Sequence, residues 1–163
     1  MYIEPKEKKQ LLGGYKIILV IWWAIFGSLF IYFIVCHAIG DQLQNVGNTN
    51  VPVDMIKYAL WGVSIVTLVS AHYIRKFLLS TGSTGFSSSQ TASLQHPAAG
   101  KYTVVIIITL ALLESIGIYG VVLFLIAKDT ASLYQLLIVS GIAMIYYRPR
   151  KEELFELAAK MKR

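Results

Sequence analysis

Glu114 lies near the middle of a stretch, residues 102–127, that carries no other charged side chain, and the hydroxyls of Ser115 and Tyr119 fall in the same segment. A carboxyl group beside hydroxyls can take up a proton or a monovalent cation, because the acid changes charge while the hydroxyls donate or accept around it. The setting makes that chemistry expensive and therefore informative. An uncharged run of this length spans a bilayer, and an ionised carboxylate at its centre costs roughly 3 kcal/mol on insertion scales. Hydrocarbon disfavours the charged form, so an unpaired Glu114 takes a proton and can carry charge only beside a cation or a polar partner. Three roles are open to it: ion or proton binding, a protonated acid that fixes helix packing, or chemistry on a substrate. Ser64, Thr67 and Ser70, in the preceding apolar run, are the further polar groups that could support the site. No His-Glu-x-x-His, Cys-x-x-Cys, phosphate-binding glycine loop or nucleophile elbow occurs, so neither an enzyme nor a resident metal is expected, and no cofactor beyond a bound proton or Na+.

The elements that must hold Glu114 are membrane helices. Of 163 residues, 56% are hydrophobic, and they are segregated into four runs at about 15–39, 53–79, 102–127 and 130–147. That pattern predicts one all-α integral membrane domain over residues 1–163, with four transmembrane helices. Fifteen Lys and Arg residues divide unevenly: all except Lys57 and Lys128 fall at the N-terminal segment, at residues 75–101 or in the tail from Arg148. The positive-inside rule then puts both termini and the middle connection in the cytoplasm, as in a bacterial inner membrane. The net charge of +6 is explained by basic flanks on an anionic leaflet, with membrane lipid rather than nucleic acid as the partner. A single cysteine leaves no mate for an internal disulfide.

The chain also resembles itself. At an offset of 87, residues 13–39 match residues 100–126 at nine of 27 positions, among them Gly13/Gly100, Tyr15/Tyr102, Ser28/Ser115 and Tyr32/Tyr119. At an offset of 76, Tyr58, Leu60, Val63 and Ser64 face Tyr134, Leu136, Val139 and Ser140. We therefore expect two parallel repeated hairpins, residues 13–79 and 100–154, joined by a flexible Ser/Thr/Gly-rich cytoplasmic linker at 80–100. Gly27, Ser28 and Tyr32 are the repeat equivalents of Glu114, Ser115 and Tyr119; Ser28 and Tyr32 are expected to form hydrogen bonds between helices. Gly117 and Gly120 thin the helix around Glu114 and let another helix approach, so the small residues point to a packed acid rather than a lipid-exposed one. Arg148-Pro149-Arg150 ends the fourth run. Beyond it Leu154, Phe155, Leu157, Ala158 and Met161 recur at helical spacing, which predicts an amphipathic tail over 148–163, lying on the membrane or on a neighbour.

The segment Leu112-Leu113-Glu114-Ser115-Ile116-Gly117-Ile118-Tyr119-Gly120 resembles the ion-binding helix of the proteolipid (c) subunits of rotary ATPases, and its Glu-Ser-x-Gly-Ile-Tyr core is similar to the sodium-binding forms. The resemblance covers about fifteen residues. It implies Glu114 as the acid that binds one proton or sodium ion, Ser115 as a ligand and Tyr119 as the hydrogen-bond partner that orients the carboxyl group. The glycine ladder, the short polar loop and the glutamine-type ligand of that family have no counterpart here. The expectation is thus a small multi-pass membrane subunit with a proteolipid-like carboxylate, working with other membrane subunits or as a homo-oligomer. The competing expectation is a structural or assembly subunit in which Glu114 is a buried packing group and the basic tail engages a partner.

Overall fold

The computed structural model describes residues 5–43, 52–80 and 97–161, and all regular structure among them is helical. Five helices follow in order: α1 Pro5–Leu43, α2 Val53–Ser80, α3 Pro97–Ala127, α4 Thr130–Tyr146 and α5 Lys151–Met161. The first three are long and apolar enough to cross a membrane, and a fourth span is added if α4 and α5, bent by 54° across a short break, are taken together.

Helix α1 starts ten residues before its apolar run. Pro5 suits a first turn because its missing N–H has no partner to lose there, Glu7 meets the positive end of the helix dipole, and the lysines that follow are good helix formers. At 39 residues it is about 58 Å long, far more than hydrocarbon requires. Its extra turns are packed: Leu11, Tyr15 and Ile18 are buried, and a Cβ placed on Gly14 would lie 2.8 Å from that of Ala99. The close approach of α1 to the start of α3 thus depends on glycine at 14. Helix α3 likewise starts at Pro97, inside the span expected to be linker, because Ala98, Ala99 and Tyr102 are needed to fill that contact. The rest of the expected linker, 81–96, lies outside the described residues.

Helix α3 is the axis of the molecule, with α1, α2, α4 and α5 all packed against it. Helices α3 and α4 make a closed hairpin, turned by two residues. Lys128 adopts a left-handed backbone (φ 54°), its N–H bonding to Phe124 O at 2.9 Å, and Asp129 caps α4 by accepting from Ser132 N at 3.0 Å and from Ser132 Oγ at 2.7 Å. Gly120 lets α4 come close: a Cβ there would stand 3.2 Å from Leu133 O and 3.1 Å from Leu136 Cβ. The first pair differs. Among the described residues α1 and α2 each pack along α3 and hardly touch one another.

The tail departs from a membrane-lying helix. Tyr147 and Pro149 end α4, and α5 folds back so that Leu154, Leu157 and Ala158 are buried in the same core as α1 and α3; Met161 stays exposed. Three tyrosines and one ion pair bind this end together. Tyr15 donates to Pro149 O (3.2 Å), and Tyr102 accepts from Arg150 N (3.0 Å) while lying 2.9 Å from Glu153 Oε2. Arg75 of α2, itself buried, reaches Tyr147 O (3.1 Å) and Glu153 Oε2 (2.6 Å). At the opposite end Lys57 and Asp129 join α2 to the α3–α4 turn at 2.6 Å.

Candidate functional site

Glu114 meets hydroxyls from α1, not from its own helix. Ser28 Oγ lies 2.6 Å and Tyr32 Oη 2.8 Å from the same carboxyl oxygen, Oε1. The two α1 residues are one turn apart, so they present their hydroxyls on one face. What aims that face is the neighbouring Leu29, which is buried and set against α3 and α4: a Cβ on Gly117 would meet its Cδ2 at 2.8 Å, and one on Gly141 its Cδ1 at 3.8 Å. Leu29 thus occupies space left by two glycines, and Ser28 and Tyr32 follow it to Glu114. The acid's own backbone is held from the other side, where Ser140 Oγ of α4 donates to Leu113 O at 2.7 Å.

Proton counting characterises the cluster. Besides its contact with Glu114, Ser28 Oγ lies 2.7 Å from Ile25 O, one turn back on α1. Tyr32 donates to Oε1. Ser28 has one proton for two contacts: it shares that proton between Oε1 and Ile25 O in a three-centre bond, or it donates to Ile25 O and accepts a proton carried by Glu114.

The residues expected from sequence fall in different places. Ser115 turns its hydroxyl back to Leu112 O at 2.7 Å, the same local bond that Ser28 makes with Ile25, and Tyr119 is half-buried against the core. Ser64 and Thr67 donate to Leu60 O and Val63 O of their own helix, both at 2.8 Å, and Ser70 is half-buried on α2; among the described residues no hydrogen bond links the three to Glu114. A Cβ on Gly27 would touch nothing within 4 Å. Among the described residues no group of three or more His, Cys, Asp or Glu could hold a metal. Ile25 and Leu29 carry no signal in the sequence and Ser140 only its match to Ser64, whereas the offset of 87 puts Ser28 and Tyr32 level with the acid's segment.

Glu114 is also not enclosed. It is half-buried, and Ala111 and Ile118, which share its side of α3, are exposed. Gly120 faces α4, and Gly117 faces Leu29 of α1 together with Leu137 and Ser140 of α4. The carboxyl group consequently stands at a seam between α1 and α3, open on one side at mid-span. Comparison with protein-family models, with curated proteins and with solved structures finds no match for this chain.

Proposed function

We propose that this chain is a multi-pass membrane subunit whose Glu114 binds an exchangeable proton, with Ser28 and Tyr32 of α1 as its partners. The carrying observation is the three-contact chain Tyr32–Glu114–Ser28–Ile25, in which Ser28 has one proton for two contacts and a proton on the carboxyl group would supply the other. Hydroxyl and carboxyl oxygens drawn to 2.6–2.8 Å suit a proton between them; a sodium ion would have to push the same oxygens apart before it could sit among them. The half-open seam would give the proton an exit to a partner group, since Glu114 is half-buried and Ala111 and Ile118 beside it are exposed.

The same reading carries the arrangement expected from sequence. The basic residues Arg75, Arg148, Arg150 and Lys151 gather where α2, α4 and α5 meet, while Lys57 lies at the other end, which supports an orientation with the α5 end in the cytoplasm. The matching bonds Ser28–Ile25 and Ser115–Leu112 support the duplication of α1 and α3. A structural role is favoured by a different observation: Trp22 Nε1 donates to Met144 O at 3.1 Å and Ser140 to Leu113 O, so Glu114 is one of several polar ties between helices.

A hydrophobic carbodiimide separates the two readings, because it adds to a protonated carboxyl group that it can reach from lipid. Labelling of Glu114 near neutral pH that fades as pH rises, and is absent in Glu114→Gln, is the expected result. Protection by added sodium at fixed pH would make the ligand a metal cation. No labelling at any pH, with Glu114→Gln indistinguishable in assembly and host phenotype, leaves the structural tie.

A further inference from the structure

A second polar site lies at the α5 end, far along the chain from Glu114. Between α2 and the α4–α5 bend is an open cavity of about 260 Å³, lined in part by His72, Arg75, Lys76, Tyr147, Arg150 and Glu153. Its charges do not cancel. Arg75 and Glu153 satisfy each other at 2.6 Å, and the other arm of the Arg75 fork is taken by Tyr147 O. Lys76 and the Arg150 side chain are exposed and have no ion-pair partner among the described residues, which leaves two positive charges at the rim. His72 Nδ1 lies 2.9 Å from Tyr147 Oη, so with Tyr147 donating to Nδ1 the Nε2–H is left as a further donor.

We infer that this cavity holds the phosphate group of an anionic membrane lipid. Two cations and an imidazole donor around a small cavity suit a phosphodiester, which brings one negative charge and several acceptor oxygens. The surroundings favour a lipid over free phosphate as its source. Leu79 and Tyr146 belong to the same wall, and the helices that lead to it expose apolar side chains, Val69 on α2 and Ile142 and Ile145 on α4, against which acyl chains can lie. On the membrane placement proposed above, on which the inference rests, exposed Tyr73 and Tyr146 suit the level where hydrocarbon gives way to headgroups. The Arg75–Glu153 pair in the cavity wall ties α2 to α5 across the bend, and Tyr102 behind it accepts from Arg150 N.

Native mass spectrometry of the detergent-solubilised full chain tests the inference, with phosphatidylglycerol, phosphatidylcholine and inorganic phosphate as probes. Phosphatidylglycerol should be retained in preference to phosphatidylcholine, and Lys76→Gln combined with Arg150→Gln should weaken it roughly 30-fold, the worth of two interfacial charges. Lys8→Gln with Lys9→Gln removes the same charge from the exposed start of α1 and should leave retention unchanged. Both pairs are on the surface, so folding is preserved and is checked by circular dichroism. Equal retention of the two lipids, equal loss in the α1 variant, or displacement of phosphatidylglycerol by inorganic phosphate at matched concentration would each overturn it.

Discussion

Replacing Glu114 by Gln is the most direct way to ask whether a proton sits on Oε1. A glutamine fills the same volume, but its terminal atoms divide what the acid does with one oxygen. If the amide nitrogen takes the place of Oε1 it donates to Ser28, and Tyr32 loses its acceptor. If the amide oxygen takes that place, Tyr32 keeps its bond, but Ser28 must choose between the amide and Ile25 O. Either way one of the three contacts at 2.6, 2.7 and 2.8 Å is lost. A net hydrogen bond contributes about 0.5–1.5 kcal/mol, and intramembrane pairs measured by double-mutant cycles average about 0.6 kcal/mol, so Glu114→Gln should destabilise the bundle by about 0.6–1.5 kcal/mol.

Equilibrium unfolding in mixed micelles reads that cost, and a cycle with Tyr32→Phe locates it. Where Gln turns its nitrogen to Ser28, the Tyr32 hydroxyl has already lost its partner, so Tyr32→Phe should be nearly free in the Gln background and cost about 0.6–1 kcal/mol in the parent, a coupling of similar size. Infrared difference spectra supply the chemical readout: a protonated-carboxyl stretch present at neutral pH and missing from Glu114→Gln. A neutral or stabilising Glu114→Gln, the same cost of Tyr32→Phe in both backgrounds, and no such band would together refute the proton count.

Gly120→Val should destabilise the α3–α4 hairpin by about 1–3 kcal/mol, since the added carbons meet the Leu133 backbone, while Gly27→Val, facing open space, should change thermal stability little. Gly117→Leu should drive Leu29 out of its place and, with it, abolish carbodiimide selectivity at Glu114, read by labelling and by loss of the acid's infrared band. Asp129 is held down to about 2, from an ordinary 3.8, first by Lys57 and then by the Ser132 N–H and hydroxyl. Its folded-state value lies below the unfolded one, so its contribution is present above pH 3.8 and is lost as pH falls towards 2; Asp129→Ala should remove about 1 kcal/mol at pH 7 and flatten unfolding midpoints across that acid window. Cysteines at Asn48 and Asp129 should be labelled from outside intact cells and those at Ser88 and Lys160 should not; labelling at Ser88 would contradict the orientation.

Much of the fold was written in hydropathy, because a bilayer-length run of apolar residues leaves the backbone little choice but a helix. The four runs became α1 to α4, and the Lys128-Asp129 turn was visible as the break between two of them. What hydropathy could not carry was the polar end of α1, where helix formation is decided by Tyr15 and Leu11 finding α3 and α5, and the docking of α5, where an amphipathic pattern states that one face will be covered but not by what. The site shows the same limit. Glu114 was plain from its charge, but Ser115 and Tyr119 are one and five residues on, at about 100° and 140° around the helix from it, so neither is well placed to share its face. The hydroxyls that reach it are Ser28 and Tyr32, and the only sequence signal for them was the internal repeat.

The proposed duplication would give the site a physical logic. Two similar helices packed in parallel bring equivalent positions to similar heights, so a Ser and a Tyr present on both are available to an acid on either. The acid stands on α3, the helix with neighbours on most sides, and the corresponding place on α1, Gly27, opens onto free space. An acid at Gly27 would have lacked the ties that hold Leu113 and Gly117 to α4. On α3 its backbone is pinned by Ser140 while its side chain reaches across to the more exposed helix. The better-packed helix therefore carries the acid, and the less buried helix carries the hydroxyls that meet it. On the proposed proton-binding reading, loss of the proton would remove one contact in the chain from Tyr32 to Ile25, so the change would be felt first on α1, which carries all three of the other groups.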